Sequence, residues 1–415
     1  MITTVVDLDR GDCGKGRISD LLGEKCSMFI KPNGSGNAGH TIKIKDEIFK
    51  LHHIPAGVLR PGVKCLLSSG MVINPVYLLD EIYNLETRGI DTSNIFISGA
   101  AHINLPLYSL IDEKQENNRK ISIGTTKKGN GVAYSLKHSR EGFRFFDIPD
   151  FLNGGETYDK IKEKYLEFTD EKEASMEMKI LEETFSKIQH LVVDSRQMVR
   201  NAVKNKEDII IETSQGAYLD IDEGQYPFVT STCTTATTSC LGTSIGIREI
   251  NRIYGVFKAY STYVGNGSFV AEAEANYASY LREKGGEFGT TTGRPRRCGY
   301  LEIPVIKNSI ELNSCTQTAM TKLDVLSGLE KIKVVKSYIL DGEEIDYVPL
   351  NAYDYARCIP IYEEFPGWEE DISDVNDFYS LPKNAQSYIE AIIQLINQHI
   401  DIVSVGPERN QFFIL

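Results

Sequence analysis

Apolar residues along this chain fall into two rhythms. Short unbroken runs of aliphatic and β-branched residues recur, at Thr3-Thr4-Val5-Val6-Asp7-Leu8, Ile209-Ile210-Ile211 and Asp401-Ile402-Val403-Ser404-Val405. Such runs suit strands covered on both faces, as in a parallel sheet. Between them, apolar residues recur three and four apart. Asn74-Pro75 followed by Val76, Leu79, Ile82 and Tyr83, with Gly89 beyond, predicts a capped helix. Residues 155–206 read as mostly helical and strongly charged, and 385–399 as an amphipathic helix running into the last strand. Internal repeats and low-complexity linkers are absent. The alternation predicts an α/β fold: a single large domain over residues 1–415, built on a mainly parallel twisted sheet with helices on both faces.

Composition narrows the classes. The chain has 415 residues and a net charge of −13, which argues against general affinity for nucleic acid or anionic membrane. No apolar run approaches the roughly 20 residues of a membrane helix. The start, Met1-Ile2-Thr3-Thr4-Val5-Val6-Asp7, has neither a basic segment nor a cleavage site, so a cytoplasmic location is expected. The eight cysteines form no C-x-x-C pair, which excludes zinc-finger and thioredoxin readings and suits a reducing compartment.

Candidate chemistry begins straight after the first strand, at Gly11-Asp12-Cys13-Gly14-Lys15-Gly16-Arg17. A strand running through glycines into a helix start offers backbone N–H groups to phosphate, and Lys15 adds a point charge. The loop departs from a standard P-loop: position 16 is Gly rather than Ser or Thr, and position 9 is Asp rather than Gly. Asp12 would repel phosphate unless it holds a metal or acts as a base. Next comes Asn33-Gly34-Ser35-Gly36-Asn37-Ala38-Gly39-His40-Thr41, whose glycines around one imidazole make His40 a candidate general acid. His52-His53 has no third ligand at suitable spacing and reads as structural.

Further along, Gly124-Thr125-Thr126-Lys127-Lys128-Gly129 and Arg140 form a polar, basic stretch. Thr213-Ser214-Gln215-Gly216-Ala217 follows a buried strand, where open α/β sheets bind ligands, and Gln215 could read a base edge. Thr290-Thr291-Thr292-Gly293-Arg294-Pro295-Arg296-Arg297 offers hydroxyls and guanidinium forks for a carboxylate or phosphate. In Lys322-Leu323-Asp324, the carboxylate could clamp a guanine base. Ser404-Val405-Gly406 forms a turn after the last strand.

In this order, from residue 5 to residue 409, the motifs resemble those of adenylosuccinate synthetases. Tyr226-Pro227-Phe228-Val229-Thr230-Ser231 and Pro366-Gly367-Trp368 match too. The resemblance implies a ligase that joins L-aspartate to IMP, using GTP, through a 6-phosphoryl intermediate, with magnesium as cofactor. It implies Asp12 as the N1 base and His40 as the acid, with Asp12 and the Gly39 carbonyl as magnesium ligands. It implies monophosphate contacts from Asp12, Cys13, Gly14, Lys15, Asn37, Ala38, Gly39, His40, Thr126, Gln215, Thr230 and Arg294, and from Arg140 of the other subunit of a homodimer. GTP contacts are implied for Gly11, Asp12, Cys13, Gly14, Lys15, Gly16, Arg17, Gly39, His40, Thr41, Arg296, Lys322, Leu323, Asp324, Ser404, Val405 and Gly406. Thr290, Thr291, Thr292, Gly293, Arg294, Pro295 and Arg296 are implied for aspartate.

Several residues depart from the family pattern: Cys13 for Glu, Arg17 for Lys, Tyr263 for Arg, Thr237-Thr238 for Gly-Gly, and Pro295 within the arginine run. They leave two acceptors open. A phage branch of the family uses dGMP, and there a small polar residue typically replaces the base Asp; Asp12 favours IMP. A GTP-binding switch without ligase activity is the reading from another class. It leaves His40, Gln215 and the arginine loop without roles.

Overall fold

The computed structural model describes residues 1–37, 39–44, 47–289 and 293–415. Its main sheet has ten strands: β1 (Ile2–Asp7), β2 (Met28–Lys31), β3 (Lys64–Leu67), β4 (Ile95–Ser98), β5 (Val192–Val193), β6 (Ile209–Glu212), β7 (Arg252–Lys258), β8 (Gln317–Thr321), β9 (Ile402–Ser404) and β10 (Phe412–Ile414). They lie side by side as β10-β9-β8-β7-β1-β6-β2-β3-β4-β5. Every pairing is parallel except β9 with β10 at one edge.

The first strand of the chain is thus central, between β6 and β7. Successive side chains of a strand face opposite ways, and here both sets are buried. Val5, Ile210 and Val256 join one apolar core, Val6, Phe257 and Met320 another, and Ile209 and Ile211 a third. The first core includes Leu78, Ile82 and Leu85 of the helix Pro75–Glu86. The second includes Ile389, Ile392 and Ile396 of the helix Lys383–Ile396. Helices therefore cover both faces, which explains why the strands read as continuous apolar runs.

The helix Pro75–Glu86 is capped by the Asn74 side chain, which accepts from the N–H groups of Val76 and Tyr77, as its sequence predicts. The charged region 155–206 divides into the helices Glu156–Leu166, Glu171–Ile188 and Ser195–Lys204, with edge strand β5 between the last two. Its apolar stripe, Met178, Leu181 and Phe185, packs into the first core. One feature went unread in the sequence. A second, four-stranded sheet is centred on Lys331–Leu340, with Leu301–Glu302 parallel to it and Glu343–Ile345 and Ile359–Pro366 antiparallel. Its three longer strands are half-exposed and charged, so they lack the unbroken apolar signature of the main sheet.

Candidate active site

Seven strands of the main sheet end in a polar residue at their carboxyl edge: Asp7, Lys31, Ser98, Glu212, Lys258, Thr321 and Ser404. All seven are buried. A sheet that buries aliphatic residues along its length and polar ones at one edge has built a site there.

Asp7 organises the loop between β1 and the helix α1 (Lys15–Leu22). Its Oδ1 accepts from the N–H groups of Asp9 (3.0 Å) and Gly11 (3.1 Å), and its Oδ2 from that of Cys13 (2.8 Å). Gly11, Asp12 and Gly14 all adopt positive φ, at 87°, 60° and 90°. For Asp12 this is a conformation that a bulky residue would resist. It leaves the Asp12 carboxylate 31% exposed at the loop tip, where Oδ2 pairs with Arg296 Nη2 at 2.9 Å. Lys15, nearly buried, donates to the Gln215 carbonyl and lies 3.4 Å from Asp7. Cys13 is buried, and burial pushes its thiol well above its ordinary range, so it is a packing residue and no nucleophile.

Gly16 and His40 belong together. A Cβ at position 16 would fall 2.9 Å from His40 Cγ, so the glycine leaves room for the imidazole over the start of α1. His40 Nε2 lies 3.0 Å from Oε1 of the buried Glu212. Burial alone would raise the Glu212 carboxyl, but His40, Lys31 and the Ala56 N–H outweigh it and hold it at about 2. Glu212 therefore stays ionised and orients the imidazole. His40 opens the strand His40–Ile44, which pairs antiparallel with Glu47–Leu51; Thr41 is exposed on that hairpin. Gly39 precedes it, half-buried.

Loops from β2 and β6 interlock. Asn33 accepts from the Ser214 N–H (2.9 Å) and donates to the Cys233 carbonyl (2.8 Å), and Gln215 donates to Asn37 (3.3 Å). Gln215 sits at φ 62°, and its buried Oε1 has no hydrogen-bond partner among the described residues. Such an orphan acceptor is costly unless a ligand supplies a donor.

On the other side of β1, Thr321 at the end of β8 donates to the Cys13 carbonyl (2.7 Å) and faces Gly14. Lys322 follows at φ 63°, then buried Leu323, then Asp324. Burial raises the Asp324 carboxyl, against Lys322, a backbone hydrogen bond, Arg17 and Lys284. Its buried Oδ1 has no hydrogen-bond partner among the described residues. Arg17 reaches from α1 to the last turn, donating to Ser404 and to the carbonyls of Gly406, Glu408 and Gln411. Val405, between them, is buried.

The arginine loop is pinned at its stem. The Gly289 N–H donates to the Arg294 carbonyl (2.8 Å), the Gly293 N–H to the Gly289 carbonyl (2.8 Å) and the Arg296 N–H to the Glu287 carbonyl (3.0 Å), while Pro295 lies opposite Phe288. Arg294 is exposed and donates to Asn266 (3.4 Å), which in turn donates to Ser122 (3.0 Å) in the loop leading to Thr126. Ala38, Thr290, Thr291 and Thr292 lie outside the described residues.

Loop 11–17, His40, Asn37, Gln215, Arg296, Lys322, Asp324, Ser404 and Gly406 thus form one connected cluster. Thr126 is exposed, and Thr230 is half-buried with its N–H on the Leu219 carbonyl. Arg140 is exposed at the end of the helix Asn130–Ser139. Residues that support the cluster but went unread in the sequence are Asp7, Glu212, Lys258 and Glu287. The first three ended apolar runs, which was the available signal.

Fold and site define the class: a nucleotide-using α/β enzyme with its reactive groups gathered at the carboxyl edge of the sheet. The adenylosuccinate synthetase family model matches residues 4–413. The chain is 39% identical over 427 residues to the adenylosuccinate synthetase of Desulforamulus reducens, covering 99% of this chain and 98% of that one. It is 40% identical over 416 residues to that of Fusobacterium nucleatum, covering 98% and 97%. The structure of fully ligated adenylosuccinate synthetase from Plasmodium falciparum aligns with a TM-score of 0.93 at 36% identity, over 100% of this chain and 99% of that one. Succinoaminodeoxyadenylate synthetase of cyanophage S-2L, bound to dGMP and dATP, aligns with a TM-score of 0.65 at 18% identity, over 100% and 95%, and shares the fold. This chain belongs to the adenylosuccinate synthetase family, whose members are ligases that form a C–N bond. Among the described residues, no helix is long and apolar enough to cross a membrane.

Proposed function

We propose that this protein joins L-aspartate to C6 of IMP in the cytoplasm, using GTP and releasing adenylosuccinate, GDP and phosphate. The observation that carries this reading is Asp12, a carboxylate held at positive φ on the tip of a phosphate-type loop and paired with Arg296. A switch protein has no use for an acid there. In this reading Asp12 takes the proton from purine N1, and negative charge moves to O6. O6 then attacks the γ-phosphorus of GTP, and the bond to GDP breaks. His40, oriented by Glu212, stabilises the charge on the transferring group. The aspartate amine attacks C6, the C6–O bond breaks, phosphate leaves with that oxygen, and the amine loses a proton.

Asp12 and the Gly39 carbonyl would hold magnesium. One carboxylate and one carbonyl fit an ion that takes most of its remaining ligands from phosphate and water, and that ion would neutralise phosphate charge. Asp324 supports GTP over ATP as the donor: its orphan Oδ1 suits the guanine N1–H and 2-amino donors. Arg17, Lys322, Ser404 and Gly406 surround that side of the cluster. Asn37, Gln215, Thr126, Thr230 and Arg294 would take the monophosphate. Arg140, exposed in one subunit, would reach the neighbour's phosphate in a homodimer. Thr290 to Arg296 would close on aspartate.

Phosphate release from GTP is the assay, with IMP and dGMP as alternative acceptors and with aspartate present or absent. The expected result is release that requires IMP and aspartate together. Release without aspartate contradicts ligation, and preference for dGMP contradicts the acceptor.

A further inference from the structure

Glu287 lies just before the arginine loop and has no access to solvent. Its Oε1 lies 3.1 Å from Lys258 Nζ and accepts from Tyr260 Oη at 2.6 Å. Its Oε2 accepts from Arg296 Nη1 at 2.5 Å. Lys322 Nζ stands 4.0 Å away. Burial alone would raise this carboxyl, but Lys258, Lys322, Arg296 and the Tyr260 hydroxyl hold it at about 2. One buried charge therefore touches the end of β7, the guanine-clamp turn and the arginine loop.

The Arg296 guanidinium shows what this contact does. It is a planar fork whose donors point in fixed directions, so fixing two nitrogens fixes the third. Nη1 is held by Glu287, and Nη2 lies on Asp12 at 2.9 Å. Nε is buried and has no hydrogen-bond partner among the described residues. The backbone adds a second hold, because the Arg296 N–H donates to the Glu287 carbonyl and Arg282 Nε donates to the Arg296 carbonyl.

We infer that Glu287 is a positioning residue for the ligase reaction: its carboxylate sets the Arg296 guanidinium so that one nitrogen meets Asp12 and the open Nε–H meets a carboxylate of the incoming amino acid. This rests on the proposed function. Glu287 is buried and offers no surface to a substrate. It acts through Arg296, and through Lys322 it links the same carboxylate to the donor nucleotide's side of the site. Among the described residues, Asn37, Gln215 and Thr230 share no hydrogen bond or ion pair with Glu287, and the IMP side is reached only through the Arg296–Asp12 pair, so its effect falls on aspartate first, on GTP second and on IMP least.

The test uses Glu287→Gln and Glu287→Asp in the full-length enzyme. Glu287→Gln leaves Lys258 buried without its counter-charge and is expected to melt at a lower temperature. Glu287→Asp keeps the charge but withdraws it from Arg296 by one methylene, so it separates folding from positioning. The expected result for Glu287→Asp is a melting temperature near wild type. Its KM for aspartate should rise about tenfold, by analogy with loss of a charged hydrogen bond. A smaller rise is expected for GTP, and the smallest for IMP. Wild-type KM for aspartate in Glu287→Asp, or equal rises for all three substrates, overturns the inference. If the wild-type enzyme itself releases phosphate without aspartate, the proposed function fails instead.

Discussion

Gly16 stands where a magnesium-binding phosphate loop would carry a hydroxyl. The structure gives the reason in the His40 ring, whose Cβ, Cγ and Cδ2 occupy the space a side chain would need. Gly16→Ala therefore sets two effects against each other. Alanine favours a helix over glycine by roughly 0.5–1 kcal/mol, so α1 gains. The imidazole must shift off its contact with Glu212, and a misplacement of about 1 Å in a reacting group can lower a rate by about 10²-fold. The expected outcome is a melting temperature no lower than wild type with turnover reduced by roughly that factor. Unchanged turnover would show that His40 has no part in the chemistry. At this scale the sequence was partly legible. Asp12 and His40 stood out because acids and imidazoles are unusual among glycines. Asp7 and Glu212 did not, because one acid closing an apolar run looks like an ordinary strand end; only the parallel register brings them to the loops they hold.

Elements are fastened to one another through buried acids, and Glu81 is the clearest case. Lying on the helix Pro75–Glu86, it accepts from the N–H groups of His52 (2.7 Å), His53 (2.9 Å) and Ile54 (3.3 Å), just beyond the hairpin that carries His40. Burial alone would raise its carboxyl, but His53 and the backbone donors hold it at about 2, below the ordinary 4.5. A depressed carboxyl adds stability that is present above its unfolded value and lost as pH falls toward its folded one. The contribution is roughly 3 kcal/mol, from holding the carboxyl at about 2 instead of 4.5 with about 1.4 kcal/mol for each tenfold change in proton affinity. Wild-type stability should therefore fall between pH 4.5 and about 2, while Glu81→Gln, weaker at neutral pH, should lose less over that window. Denaturant melts at several pH values check this, and parallel acid profiles would contradict it. His52-His53 reads as structural from the sequence, and this contact is its structural job. The helices and main-sheet strands were legible because their apolar periods are strong. The second sheet was not, because half-exposed strands with charges on one face carry no period that separates them from loops.

The whole molecule joins its two largest sheets through the reactive loop. Arg10, one residue before it, is buried and donates to Asp9 (2.7 Å), Glu302 (3.0 Å) and Tyr355 (2.8 Å), with its guanidinium 4.3 Å from the Tyr218 ring. Glu302 closes the first strand of the second sheet, so the loop that carries Asp12 is tied to both sheets. The chain carries a net charge of −13, yet Lys15, Arg17, Lys258, Arg296 and Lys322 gather at the site, where their charge would attract small anions. The chemistry assigned to this site has one atomic signature. If Asp12 deprotonates N1 so that O6 takes the phosphoryl group, the oxygen on C6 of IMP must leave as part of phosphate. IMP labelled with ¹⁸O at C6, turned over with GTP and aspartate, is the direct test. One ¹⁸O is expected in each phosphate released, and unlabelled phosphate would rule out transfer to O6.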